Sequence, residues 1–417
     1  MISHHTPNSD IVFDDYEVQI IGDNDNIWAE GEVTAIQQFQ PTPRYIFKGK
    51  LKVVGQNFPT FSQTPTKCKF VNENTTMEVI LLNIQFSKEP QVTFILSKPP
   101  LTIKTSDQLK EVKFNLINFS KEARDQEFEF SDWKVKLTQI SSKDEYDEIN
   151  KNGGYLVTHK GSLIKKNDAI FDIESAEAAL EYLFNLFSFC KATSTPAYLV
   201  EGFDQNQDVV WKEIGDSKIS NWKKYLNWFS DAQIQINDFA SGFYSFCQEE
   251  SYKNFITEII YWYVNINSAT GEQAVISIHT ALELISWIFL TGDTKVLSTD
   301  GFHKLQSGDC LALVLGYKNI PTDISPKLSH LQALANSENL NGPLLFSRVR
   351  NKIVHPPSKR RDEFTTGRVI FEAKSLGSWY LELFLLSKSD FQGKYTSILN
   401  YDGWTGETEE LPWASNA

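Results

Sequence analysis

The sequence predicts an α+β protein of several domains, in which a β-rich N-terminal module precedes a mixed middle region and an all-α C-terminal bundle. Three observations lead to this prediction. The chain has 417 residues, which is more than a single hydrophobic core usually organises. Residues 16–104 alternate β-branched and aromatic residues with polar ones, as strands do. From about residue 221 the apolar residues recur at helical spacing instead.

The first module, residues 1–110, is predicted to be all-β. The stretches "YEVQIIG", "IWAEGEVTAI" and "RYIFKGKLKVVG" have the length and alternation of strands. The breaks between them, "GDNDN" and "QPTP", consist of residues that favour turns. A sandwich and a barrel both fit this pattern, so the sequence leaves the two open.

The middle region, residues 111–220, mixes both periodicities. Strand signals continue at "EVKFNLINF" and "DWKVKLTQI", and "AYLVEGFDQNQDVVWKEI" is typical of a hairpin that turns at "DQNQD". Between them, residues 175–192 have helical periodicity, and Ser175 is predicted to cap this helix because a serine oxygen can accept a hydrogen bond from the first backbone N–H groups.

Residues 221–395 are predicted to form the helical bundle, and residues 396–417 a C-terminal tail. Helical stretches such as "NFITEIIYWYVNIN" and "PLLFSRVRNKIV" are separated by "SATGE", "NLNGP" and "HPPSKRR". These breaks are rich in glycine, proline and small polar residues, which end helices. Short connections of this kind favour a bundle of neighbouring helices.

One helical segment, residues 274–290, is apolar nearly all round. It is short for a bilayer span and contains His279 and Glu283, so we expect a buried bundle helix and no membrane association. We expect His279 to be packed in the core. Glu283 is the one charged residue of the segment, and a buried carboxylate needs a partner.

Composition excludes several classes of function. The chain has 53 acidic and 40 basic residues and a formal net charge of −13, so a general basic coat for nucleic acid is excluded and any such contact requires a local patch. The four cysteines lack CxxC spacing and neighbouring histidines; we therefore expect no metal site and no cofactor. The first residues lack a signal-peptide pattern, and a cytoplasmic location is expected.

The stretch "FSRVRNKIVHPPSKRR", residues 346–361, contains the main candidate for chemistry. Arg350 borders the apolar stripe of a predicted helix. His355 precedes Pro356, and a residue before proline avoids the α-helical region, so the helix should end at or just before His355. The partial negative charge of a helix C-terminus favours a protonated imidazole there.

An arginine and a histidine in this setting can cleave RNA without a metal. The 2′-OH of RNA is a built-in nucleophile, a histidine can transfer the proton, and an arginine can hold the charged phosphorus centre. Lys359, Arg360 and Arg361 follow directly and could contact RNA, although a solvated loop would have the same composition. For the Arg–His pair, the structural alternative is a capped helix end with a surface ion pair.

The hexapeptide "RNKIVH", Arg350–His355, resembles the Arg-polar-x-x-x-His signature of the HEPN superfamily, with Asn351 at the preferred polar position. The stretch "SIHTALELISWIFL" resembles an early HEPN helix, in which an acidic residue near the position of Glu283 faces the Arg–His site. The resemblance covers residues 254–390. It implies a helical HEPN bundle, a homodimer with a composite site, and metal-independent endoribonuclease activity.

The resemblance also implies a role for each site residue. Arg350 would stabilise the phosphorane, His355 would transfer the proton, Asn351 would orient one of the two, and Glu283 would hold Arg350 in place. For Glu283 the structural alternative is a lone carboxylate that reaches the bundle edge. Many HEPN toxins carry a tyrosine that a nucleotidyltransferase modifies; Pro357 occupies that position here, so that partner is not expected.

The layout of a β-rich front and a C-terminal HEPN bundle is similar to that of the ApeA type of anti-phage protein. This similarity implies a role in abortive infection or stress response, with RNA as the substrate and the β-rich region or a regulatory protein partner controlling the site. The alternative is a catalytically inactive HEPN scaffold that dimerises and binds a partner or a nucleotide.

Overall fold

A computed structural model describes most of the chain and divides it into two compact units. The first consists of Met1–Asn118, Leu137–Ala178 and Pro196–Lys223, and the second of Phe119–Lys136, Ala179–Thr195 and Lys224–Ala417. The domain bounds expected from the sequence stay predictions. The described residues are 4–22, 25–39, 43–54, 65–85, 91–215, 219–355, 360–404 and 406–414.

Six N-terminal strands form a closed antiparallel barrel in the order β1-β2-β3-β6-β5-β4. Alternate residues point inward, and the rings of Phe47 and Phe94 stack at 5.1 Å between centroids in the barrel core. Gly49 lets two strands approach closely, because a Cβ there would lie 2.0 Å from the carbonyl oxygen of Glu32. The strands are β1 (Ile11–Ile21), β2 (Ile27–Gln38), β3 (Arg44–Val53), β4 (Thr66–Phe70), β5 (Thr75–Gln85) and β6 (Gln91–Leu96).

Seven further strands form a second sheet in the order β7-β13-β12-β8-β11-β10-β9. The predicted hairpin is present: β12 and β13 pair antiparallel, and Asp204 and Asp208 close the turn between them. The strands are β7 (Leu101–Lys104), β8 (Glu111–Ile117), β9 (Gln126–Phe130), β10 (Trp133–Gln139), β11 (Val157–Lys165), β12 (Tyr198–Phe203) and β13 (Val209–Ile214).

Two helices interrupt this sheet in the sequence. The first, α1 (Lys143–Asn152), begins with a capping box in which the side chains of Ser142 and Glu145 bond each other's backbone N–H groups. The second, α2 (Ile173–Lys191), starts earlier than expected. The carboxylate of Asp172 accepts a hydrogen bond from the Ser175 N–H at 2.8 Å, so the cap predicted at Ser175 is wrong and the aspartate three residues before it caps the helix.

From Asn237 to Lys388 the described chain is mainly helical, as the sequence predicts. The described protein is therefore α+β, with a β-rich front and a helical C-terminal region. The long helix α11 is almost entirely buried and packs against α5, α8 and α9. The helices are α3 (Asn237–Gln248), α4 (Ile256–Asn265), α5 (Gly271–Trp287), α6 (Thr299–Phe302), α7 (Ser307–Tyr317), α8 (Ser329–Glu338), α9 (Gly342–Val354), α10 (Arg361–Phe364) and α11 (Gly367–Lys388).

The apolar helix α5 continues as a π-helical turn, Ile288–Asp293. The combined segment is long and apolar enough to cross a membrane, yet 61% of its most apolar window is buried within the protein. Gly377 of α11 allows the close packing around it, because a Cβ there would lie 2.8 Å from Ile278 of α5 and 2.6 Å from the ring of Phe346 of α9. This burial agrees with the core helix that the sequence predicts.

Candidate functional site

The candidate site is built on α9, whose two ends are fixed by local chemistry. The side chain of Asn341 accepts a hydrogen bond from the Leu344 N–H at 3.2 Å, and Pro343 lies in the first turn. The helix ends at Val354. His355 leaves the helical region with φ −116° and ψ 82°, and its N–H still donates to the Asn351 carbonyl at 3.0 Å. The end predicted from the following proline is confirmed.

Arg350 is half-buried beside the apolar face of α9. Its Nη1 donates a hydrogen bond to Oδ1 of Asn351 at 3.1 Å. Its Nε atom is buried and has no hydrogen-bond partner in the described part of the chain. Such a buried donor carries a desolvation cost of about 1–3 kcal/mol that an incoming acceptor would remove.

Asn351 and His355 are exposed and line a common cleft of about 680 Å³. The two are four residues apart, which places them on one helix face. Arg348 and Lys352 of the same helix line the cleft as well. The structure therefore brings Asn351 and His355 together at the cleft and connects Arg350 to them through the Asn351 carboxamide.

The expectation of a buried Glu283 is wrong. Its side chain is 49% exposed, and its Oε2 lies 3.6 Å from Nδ1 of His279. Among the ion pairs between described residues, none joins Glu283 to Arg350. The reason is the orientation of α5 in the bundle. Leu282 and Ile285 face the core, so position 283 lies on the outer face of the helix.

His279 is buried at 3% exposure, as expected, and its ring stacks on Phe346 with 6.0 Å between centroids. Burial, and after it the positive charge of Arg350, lowers the pKa of the His279 imidazole to about 4. Its Nε2 lies 3.2 Å from Oγ of Ser307, the first residue of α7. Sequence reasoning missed Ser307, which also lines the cleft.

The basic stretch after α9 is largely engaged within the protein. Arg360 binds Glu363, with 2.8 Å between Nε and Oε1, and also Glu338. Glu338 binds Arg348 as well. Two of the predicted RNA-contacting cations therefore bind groups within the protein. Arg360 is paired with carboxylates, and Arg361 donates from Nε to the Lys352 carbonyl at 3.2 Å.

The third predicted RNA contact, Lys359, lies outside the described residues, and so does Pro357. In the part of the chain that is described, no three His, Cys, Asp or Glu side chains are grouped to hold a metal ion. Cys68, Cys190, Cys247 and Cys310 are free and buried. The chemistry available at the cleft therefore comes from hydroxyl, carboxamide, imidazole and cationic groups.

Comparisons with known proteins cover most of the chain, including the candidate site. Residues 249–410 match the family model of the YopA C-terminal domain, and residues 104–225 match that of the YopA central domain. Over 397 residues the chain is 28% identical to the SPbeta prophage-derived uncharacterized protein YopA of Bacillus subtilis (strain 168); the alignment covers 90% of this chain and 89% of that protein. No solved structure matches significantly. The candidate site, from His279 to Arg361, lies entirely within the segment that is similar to the YopA C-terminal domain.

Proposed function

We propose that this protein is a metal-independent endoribonuclease of the HEPN type, which cleaves RNA through attack of the 2′-OH on the adjacent phosphorus. One observation carries the proposal. His355 and Asn351 line the same cleft, and Asn351 accepts a hydrogen bond from Arg350. The motif thereby has a cleft, a titratable group and a cation linked by a carboxamide, which is the chemistry that the reaction requires.

Arg350, Asn351 and His355 each have a role in this proposal. His355 is exposed at the cleft and exchanges a proton with the 2′-OH or the leaving 5′-oxygen. Arg350 binds the phosphorane, whose non-bridging oxygens supply the acceptor that its Nε lacks among the described residues. Asn351 holds the guanidinium beside the cleft. Glu283 has no role in this proposal, because its exposed side chain faces His279 and forms no ion pair with Arg350 among the described residues.

The proposal also includes the oligomeric state, the biological role and the location of the protein. A homodimer would place two Arg–His pairs across one composite site, and light scattering that gave only monomer at all concentrations would count against this arrangement. The prophage origin stated in the name of the Bacillus relative supports a role in phage–host conflict. We propose a cytoplasmic location, and control by the β-rich region or by a protein partner.

The direct experiment is RNA cleavage in excess EDTA. Wild-type protein should cleave single-stranded RNA and leave 2′,3′-cyclic phosphate ends, and Arg350→Ala and His355→Ala should each abolish these products. Arg368→Ala and His303→Ala are matched controls, because both side chains are exposed on other helical segments of the same unit. Equal cleavage by wild type and His355→Ala would disprove the proposal.

A second candidate is a catalytically inactive scaffold that dimerises and binds a nucleotide or a protein partner. The ion pairs of Arg360 with Glu338 and Glu363 favour it, because they occupy a cation that RNA would otherwise use. Binding of a nucleotide that is weakened in Arg350→Ala, with no RNA cleavage by any variant, would support the scaffold over the nuclease.

A further inference from the structure

Three side chains next to the Arg–His motif are arranged as a hydrolase triad. Oγ of Ser307 lies 3.2 Å from Nε2 of His279. Nδ1 of the same ring lies 3.6 Å from Oε2 of Glu283. His279 and Glu283 are one turn apart on α5, and Ser307 starts α7, which packs against α5. Ser307 as the nucleophile, His279 as the base and Glu283 as the acidic group that orients the base thus lie next to one another in space.

The contacts of the two ring nitrogens determine which of them accepts the serine proton. Nδ1 of His279 is buried without a hydrogen-bond partner in the described part of the chain, and Glu283 is the carboxylate in front of it. A carboxylate there favours the tautomer that carries its proton on Nδ1. Nε2 is then the acceptor, and the Ser307 hydroxyl donates to it. The half-exposed Glu283 can shorten its distance to the ring by rotation of its own side chain.

The surroundings of Ser307 suit acyl transfer. Ser307 lines the 680 Å³ cleft. It is the first residue of an 11-residue helix, so the N–H of the following Gly308 has no intrahelical acceptor. This N–H and the positive end of the helix dipole can stabilise the negative charge that develops on the ester carbonyl oxygen. The buried Ser347 lines the same cleft, and its Oγ has no hydrogen-bond partner among the described residues. This hydroxyl lies next to Gly308, 3.3 Å from the position that a Cβ would take there, and is a second donor for the same oxygen.

Burial keeps the His279 ring neutral, and it lowers the basicity of the ring as well. The ring is neutral at pH 7, since its pKa is lowered to about 4, and a neutral ring can accept the serine proton. Arg350 contributes to this lowering. A carboxylate that faces Nδ1, as Glu283 does at 3.6 Å, stabilises the ring when it becomes positive, which is the function of the acid in such a triad.

We propose that Ser307, His279 and Glu283 form a serine hydrolase triad that cleaves small carboxylic esters in this cleft. Ser307 Oγ bonds to the ester carbonyl carbon, and its proton moves to Nε2. The bond to the alcohol oxygen then breaks, and that oxygen takes the proton from Nε2. Water attacks the acyl-serine, gives one proton to Nε2, and releases the acid; the Nε2 proton returns to Oγ. The proposal stands apart from the ribonuclease activity, although the two share a cleft.

The test uses a fluorophosphonate probe on the full-length protein, in the absence of RNA. We expect one adduct per chain, located at Ser307 by peptide mass spectrometry, and no such adduct in Ser307→Ala. Glu283→Gln should lower the labelling rate tenfold or more. Hydrolysis of 4-nitrophenyl acetate should fall in parallel in both variants. Circular dichroism verifies that each variant is folded, and Glu283 is exposed enough for its replacement to be tolerated.

Ser329→Ala is the matched control. Ser329 is also the first residue of a helix and lies 3.4 Å from a histidine, but that contact is to Nδ1 of His330, the same nitrogen that binds Glu372. It cannot relay a proton through the ring, so this variant should label like wild type. An unlabelled Ser307, or a labelling rate unchanged in Glu283→Gln, would overturn the triad.

Discussion

The carboxamide of Asn351 is the link between the two residues of the motif. Its Oδ1 accepts from Arg350, and its side chain lines the cleft with His355. Arg350 itself is not among the residues that line the cleft. In the proposed ribonuclease this hydrogen bond would help to position the guanidinium relative to the RNA.

Asn351→Ala is predicted to slow RNA cleavage about tenfold, because the loss of one hydrogen bond to the guanidinium costs on the order of 1.5 kcal/mol. Asn351 is exposed, so the melting temperature should not change. Asn351→Asp keeps an acceptor for Arg350 and should recover most of the rate. Single-turnover cleavage by the three proteins measures this, and an alanine variant as fast as wild type would refute the role.

Single side chains also mark the limit of sequence reasoning. Arg350, Asn351 and His355 are proposed from the resemblance of a hexapeptide to the HEPN signature, and the proline that follows predicts where their helix ends. The contact between His279 and Ser307 joins residues 28 positions apart, and it depends on how two helices pack. No local pattern contains that information.

The sequence predicts the end of α9 correctly, because a proline follows it. It predicts the start of α2 less well, because two polar residues there can both cap the helix. Asp172 and Ser175 are both good capping residues, and the structure uses the aspartate. The π-helical turn at Ile288–Asp293 had no signal, since it continues the same apolar run as α5. Helix existence follows from periodicity, whereas the exact boundary depends on which backbone groups find partners.

Asp172→Ala should therefore destabilise α2 more than Ser175→Ala. The aspartate variant loses the acceptor for the Ser175 N–H, and a melting temperature about 2 °C below wild type is expected. Ser175→Ala keeps that backbone bond and should show a smaller decrease. Differential scanning calorimetry compares them; the reverse order would restore Ser175 as the cap.

Across the whole molecule, local patterns identified the β-rich front and the helical region but not how the strands close. The sequence allowed a sandwich or a barrel, and the structure is a barrel because β1 pairs with β4, Val18 opposite Phe70. That pairing joins distant segments, so periodicity cannot reveal it. The second unit includes Phe119–Lys136 and Ala179–Thr195, so it is built from three separate segments of the chain.

The helical unit contains a buried carboxyl group that should make its stability depend on pH. Glu382 accepts a hydrogen bond from Tyr263 at 2.7 Å, and burial raises its pKa to about 8. A raised folded-state pKa means that the stabilising contribution is complete below the unfolded value of 4.5 and is lost as pH rises towards 8.

Glu382→Gln should remove this pH dependence. Gln stays neutral and can still accept from Tyr263, so at pH 7 the variant should be more stable than wild type by about 3 kcal/mol. Urea unfolding at pH 4.5 and pH 7 measures the difference, which should nearly vanish at the lower pH. A constant difference at both values would contradict a raised pKa, since other titrating groups are common to both proteins.

The central claim, that the cleft cleaves RNA by 2′-OH attack, is tested most directly with one pair of oligonucleotides. The cleaved position in an RNA is first mapped, and the same RNA is then made with a single 2′-deoxy nucleotide there. In EDTA, wild-type protein should cut the all-ribose strand and leave the substituted position intact, and His355→Ala should cut neither. Cleavage at the 2′-deoxy position, or cleavage by His355→Ala, would contradict the account.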